Sequence, residues 1–143
     1  MNRIHFIGGE KGGVGKSVTA RILAQYYIDR ELPFKIFDAD LSHGAMLRYY
    51  ADYSEAVPLT RFESADRIVE ETAETSVTSI VDMPAQSSTS LEQWITDTGL
   101  LDLADELGLS ITLWHVMDDG ADALNLLQKM LDVYADRPDY VVV

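Results

Sequence analysis

A short apolar run that breaks into glycines and then into a helical pattern constrains this chain more than any other feature in it. Residues 4–9, "IHFIGG", read as a buried strand closed by two glycines, and from Ser17 onward Ala20, Leu23, Ala24 and Tyr27 repeat at the spacing of one helix face. Between the two stand Gly12, Gly13 and Gly15, followed by Lys16 and Ser17. Glycines at such a junction let successive backbone N–H groups curve around a phosphate, and the helix N-terminus adds partial positive charge. Gly12, Gly13, Val14, Gly15, Lys16, Ser17 and Val18 are therefore the expected cofactor-binding stretch, with Lys16 reaching β- and γ-phosphates and the Ser17 hydroxyl ligating Mg²⁺. The usual pattern G-x-x-x-x-G-K-[ST] would place its first glycine at position 10, which is Glu10, and a second lysine, Lys11, stands five residues before Lys16.

The rest of the chain alternates hydrophobic runs and polar punctuation in the manner of strand–helix–strand units, which predicts an α/β fold with a doubly wound, mostly parallel sheet. "PFKIFDAD" (33–40) and "VTSIVDMP" (77–84) read as strands ending in carboxylates, and "SITLWHVM" (110–117) as another. "AVPLTRF" (56–62) reads as a strand kept at the sheet edge by Pro58. Helices are expected over 64–74, over 89–107 with an interruption at Gly99, and over 120–135 after an Asp118 or Asp119 cap, the last with Leu124, Leu127, Leu131 and Tyr134 inward. The pattern stops inside a strand, "DYVVV", so a single domain over 1–143 is expected to lack a C-terminal portion.

The sequence has 143 residues, enough for one domain with its own core, and 47% of them are hydrophobic. It holds no 18-residue apolar span and no basic region followed by a signal core, so a cytoplasmic location without membrane attachment is expected. With no cysteine it offers no disulfide, thiolate metal site or iron–sulfur ligand. Its net charge of −13 is one-sided: residues 1–67 carry 9 Lys+Arg against 9 Asp+Glu, and residues 68–143 carry 2 against 15. An acidic half of this kind repels nucleic acid and anionic lipid, so direct DNA binding is not expected, and a basic protein partner would suit it better.

"KGGVGKS" resembles the deviant phosphate loop K-G-G-x-G-K-[ST] of the ParA and MinD type ATPases, members of the SIMIBI class of P-loop NTPases, in which the first position need not be glycine. "FDAD" is similar to the carboxylate-ending second strand of that family, and "IVDMPAQ" to its Mg²⁺-side strand and switch. More loosely, "DMPAQSSTSLEQWI" and "DELGLSITLWHVM" resemble the ParA-like proteins of plasmid conjugation and mobilisation regions, the TraL type. The resemblance implies an ATPase that uses ATP and Mg²⁺, forms a nucleotide-dependent homodimer, and hydrolyses slowly or on stimulation by a partner. It implies that Lys11 acts across the dimer axis on the facing subunit's phosphate, as an arginine finger does in trans. Lys11, Lys16 and Asp40 become the catalytic candidates, Asp40 by orienting the attacking water. Ser17, Asp38 and Asp82 become the metal candidates, Asp38 and Asp82 through the water shell of Mg²⁺.

Some positions depart from that pattern. Val18 stands where many relatives have a threonine that helps hold the α-phosphate, "LSHGA" follows Asp40 in place of Pro-Gln-Gly-Asn, and Gln86 occupies the usual glycine of the switch. The residues that read the base in the family would follow Val143, so ATP and GTP are not distinguished here. Two other functions compete: a nucleotide-binding scaffold that hydrolyses nothing, and an ATP-dependent amide-forming or carboxylating enzyme of the same superfamily, which ordinarily lacks Lys11. His5 and His115 read as packed or surface strand residues, His43 as a loop histidine before a metal ligand, and Trp94 and Trp114 as core or interface residues.

Overall fold

The computed structural model describes residues 2–9, 15–40, 44–58 and 62–143. Among them six strands form one sheet: β1 (Arg3–Gly8), β2 (Phe34–Asp38), β3 (Ser54–Ala56), β4 (Thr78–Asp82), β5 (Ser110–His115) and β6 (Asp139–Val142). Their order is β3-β2-β4-β1-β5-β6, and every neighbouring pair is parallel. Among the described residues six α-helices connect them: α1 (Lys16–Asp29), α2 (Ala45–Tyr49), α3 (Phe62–Glu74), α4 (Ser88–Thr98), α5 (Leu100–Leu107) and α6 (Ala121–Tyr134), with a 3-10 turn at Ala51–Tyr53.

Side chains alternate across a strand, so a sheet covered on both faces needs apolar residues at consecutive positions. Ile4, Phe6, Phe37, Val81, Ile111 and Leu113 turn to one face and build the larger core with α3–α6, where the Trp94 ring meets Phe6 edge-on at 5.7 Å. Ile7, Ile36 and Ile80 turn to the other face and pack against Ala20 and Ala24 of α1 and Met46 of α2. The sheet is thus doubly wound, as its sequence pattern predicts.

Several expected elements shift. The third strand runs over Ser54–Ala56, paired with β2, and so starts before the expected 56–62: Ala56 ends it, Val57 and Pro58 follow outside it, Phe62 opens α3, and positions 59–61 lie outside the described residues. The break between α4 and α5 does not shift: it falls, as expected, at Gly99, whose φ of 63° lies in the left-handed region that glycine adopts without a Cβ clash. Neither Asp118 nor Asp119 caps α6: Gly120 is the cap residue, and Asp118 Oδ1 accepts the Gly120 N–H at 2.9 Å in a tight turn before the helix. The inward face of α6 differs in part: Tyr134 is buried as expected, joined by Ala123 and Met130, while Leu124 and Leu131 are 60% and 40% exposed.

Candidate functional site

β1, β4 and β2 are adjacent, and their carboxyl ends bring the separate sequence signals to one rim. Ile7 of β1 is in register with Asp82 of β4, and Asp82 with Asp38 of β2, so the two aspartates end neighbouring strands beside the start of the glycine loop. This rim is where ligands of open α/β sheets bind, because the connections diverge there and leave a crevice.

α1 rises from the same rim. Gly15 precedes it with φ 104°, a conformation that an L side chain rarely adopts, and its carbonyl accepts both the N–H and the hydroxyl of Thr19 at 2.8 Å. The glycine there is required by the backbone angle, since an added Cβ would meet nothing closer than 4.0 Å. That turn sets Lys16 and Ser17 at the helix N-terminus, where unpaired N–H groups and the helix dipole favour an anion. Lys16 is buried, and the Ser17 hydroxyl donates to Asp82 Oδ2 at 3.2 Å. Val18, next in line, is 54% exposed on the outer side of the helix. Lys11, Gly12, Gly13 and Val14 lie outside the described residues, as does His43.

The two strand-end aspartates are fully buried and differ in how they are satisfied. Asp38 Oδ1 accepts the N–H of Asp40 at 3.1 Å, and Oδ2 accepts those of Met46 and Leu47 at 3.1 and 3.3 Å. Asp38 thereby holds the start of α2 and the connection leading to it. Burial pushes its pKa up while those three N–H groups pull it down. Asp82 has less support: its Oδ1 is buried with no hydrogen-bond partner among the described residues. Burial first, and the Asp38 charge second, raise its pKa to about 7.

An orphaned buried carboxylate oxygen beside a serine hydroxyl and a lysine has the chemistry of half a Mg²⁺ site. No group of three or more His, Asp or Glu able to hold a metal alone occurs among the described residues. Mg²⁺ keeps several waters and commonly takes only one or two protein ligands together with substrate phosphates, so this donor set fits it. Ser17 would be the direct ligand, Asp82 would receive a bound water, and Asp38, with both oxygens engaged by backbone N–H groups, would act further out. Asp40 is buried at the end of β2's extension, and its carbonyl accepts the Gly44 N–H at 2.8 Å.

After β4 the chain turns through Gln86, whose φ of 56° is the left-handed conformation that a glycine would take freely. Of the histidines among the described residues, His5 lies within β1 and accepts a bond from Trp114 Nε1 at 3.0 Å, and His115, at the end of β5, has its Nε2 2.9 Å from the Ala123 carbonyl. One feature that the sequence pattern did not signal is the clamp of Asp38 on α2, because a five-residue helix leaves almost no periodicity.

No family model matches the chain. Protein TraL of Escherichia coli is similar, 28% identical over 143 residues that cover 96% of this chain and 59% of that protein. The chain therefore spans less than two thirds of that relative's length. Among solved structures, chloroplast FtsY of Physcomitrella patens aligns with a TM-score of 0.67 at 16% identity, covering 99% of this chain and 49% of that one. A de novo designed protein of P-loop NTPase fold aligns over the whole chain and 83% of the design, with a TM-score of 0.60 and 14% identity. A nucleotide-binding protein of Archaeoglobus fulgidus in complex with ADP aligns over 99% of this chain and 65% of that one, with a TM-score of 0.57 and 14% identity. At these identities the likeness shows the fold, which is that of P-loop NTPases.

Proposed function

We propose that this chain is a nucleotide-dependent switch of the ParA and MinD type, which binds ATP with Mg²⁺, dimerises around it and hydrolyses it slowly to release a partner. The observation that carries this reading is the meeting of Ser17, at the start of α1, with the under-satisfied Asp82 at the end of β4. Lys16 supplies positive charge to the β- and γ-phosphates, and Gly15 through Val18 supply backbone N–H groups. Bound Mg²⁺ would neutralise charge developing on the phosphates. Asp40 would hold the attacking water in line, and Lys11 would stabilise the transferred group across the dimer axis. Similarity to TraL supports a role in plasmid transfer, mobilisation or maintenance.

Absence of hydrolysis is the alternative with a specific feature behind it, since Gln86 stands in a left-handed turn of the switch where glycine would move more freely. Solution mass with and without a non-hydrolysable ATP analogue, joined to phosphate release, tests the proposal. The parent is expected to dimerise with the analogue and to release phosphate without any organic acceptor, which a carboxylating or amide-forming enzyme would require. Lys16→Ala should abolish nucleotide binding in calorimetry. Lys11→Ala should bind ATP like the parent yet remain monomeric, because its own pocket keeps Lys16 and Ser17. A parent that stays monomeric with saturating analogue would sink the switch.

A further inference from the structure

The opposite end of the molecule carries a second recess, unrelated to the phosphate rim. α4 ends and α5 begins at Gly99, and α6 finishes beside that corner before the chain enters β6. A cavity of about 250 Å³ lies between them, with Ile95, Leu101, Val133 and Tyr134 as its apolar wall and Asp102 and Arg137 at its mouth. A second cavity of about 150 Å³ continues it under Asp105, and Leu101 and Arg137 line both.

Charge around this groove is lopsided. Arg137 reaches Asp102 at 2.7 Å and Asp105 at 3.1 Å, so one guanidinium serves two carboxylates that remain 78% and 76% exposed. Each carboxylate keeps an oxygen with no hydrogen bond among the described residues. Asp97, Asp132 and Asp136 stand exposed next to the lining residues, and Val133 is 43% exposed between them. An apolar slot inside an acidic rim asks for a ligand of the reverse pattern.

We infer that this groove docks a basic amphipathic segment of a partner protein, an aliphatic side chain entering beside Val133 and Leu101 while Lys or Arg side chains meet Asp102 and Asp105. A second copy of this chain would bring the same acidic rim against itself, which like-charge repulsion opposes. Nucleic acid is opposed on the same ground. The groove lies at the amino ends of the strands, where α6 gives way to β6, so an occupied groove leaves the nucleotide rim open. A cargo could therefore be held through the nucleotide cycle.

Fluorescence anisotropy with a labelled synthetic helix of Leu and Lys, its leucines at helical spacing, tests this on the full chain at low salt. Binding by the parent should weaken about 10-fold in Asp102→Lys/Asp105→Lys and comparably in Val133→Glu, and less than about 2-fold in Asp66→Lys/Glu70→Lys, which changes the net charge equally on exposed α3. A peptide with every Leu replaced by Ser should bind much more weakly. Equal loss in both charge-reversed pairs, equal binding of the Leu-free peptide, or no binding by the parent would each overturn the inference. Lys16→Ala should bind the peptide like the parent, so failure at this groove is separable from failure of the nucleotide reading.

Discussion

A carboxylate at the centre of a sheet rim, with one oxygen held by a serine and the other by nothing described, is costly to ionise. At Asp82 that cost appears as a pKa raised to about 7, caused first by burial and then by Asp38. Because the folded value exceeds the ordinary 3.8, the folded protein takes up a proton there, and stability from this group falls as pH rises from about 4 through 7. Asp82→Asn should therefore stabilise the nucleotide-free protein at pH 8, by on the order of 1–3 kcal/mol in urea unfolding. The same change should weaken nucleotide binding when Mg²⁺ is present and much less when it is chelated. A variant no more stable than the parent would mean that Asp82 is better satisfied than its surroundings indicate. Asp82, Lys16 and Ser17 were legible as site candidates because strand ends and the glycine loop mark the rim. The difference in hydrogen bonding between Asp82 and Asp38 was not, since it depends on which backbone N–H groups come back to each carboxylate.

At the scale of elements, the informative cases are α6 and the turn after β4. Leu124, Leu127, Leu131 and Tyr134 recur at helical spacing and predict an inward stripe; Tyr134 does face the core, together with Ala123 and Met130, while Leu124 and Leu131 are exposed. Both stripes share Tyr134 and fit a helix; only the shape of the surface beneath selects which residues flank it. Leu124→Glu and Leu131→Glu should each shift folding stability by no more than about 0.5 kcal/mol, whereas Leu91→Ala, in the core, should cost about 2–5 kcal/mol by denaturant titration. Gln86 holds a left-handed turn that costs a non-glycine residue about 1–2 kcal/mol. Glycine gives part of that back through greater freedom in the unfolded chain, so Gln86→Gly should stabilise by about 0.5–1 kcal/mol, read as a higher urea midpoint. No gain would show that the turn is held by contacts of the Gln86 side chain.

The whole molecule is tied across its smaller core by His5, which joins β1, β5 and α1. Trp114 Nε1 donates to His5 Nδ1 at 3.0 Å and Tyr27 lies 3.2 Å from Nε2, so the neutral ring has its proton on Nε2. Protonation would put a second proton where Trp114 already donates, and burial, helped by Arg3, lowers the pKa from 6.5 to about 4. The unfolded chain binds the proton more readily in that window, so this contribution to stability is present above about 6.5 and is lost as pH falls toward 4, about 3 kcal/mol in all. Stability of His5→Phe should vary less steeply with pH over that window than the parent's; parallel curves would remove His5 from the account.

By itself the sequence determined the period of every strand but β3 and of most helices, the glycine turn with its lysine and serine, the carboxylates at two strand ends and the charge imbalance. Those are local properties, set by spacing along the chain and by side-chain chemistry. Tertiary structure alone decided that β2 lies on the far side of β4 from β1, that Asp38 clamps α2, which way α6 rolls, and that the α4–α5 corner and the end of α6 enclose an acidic-rimmed groove. Each of these depends on contacts between residues far apart in the chain, whose energies are decided by packing and burial and leave no period in the sequence.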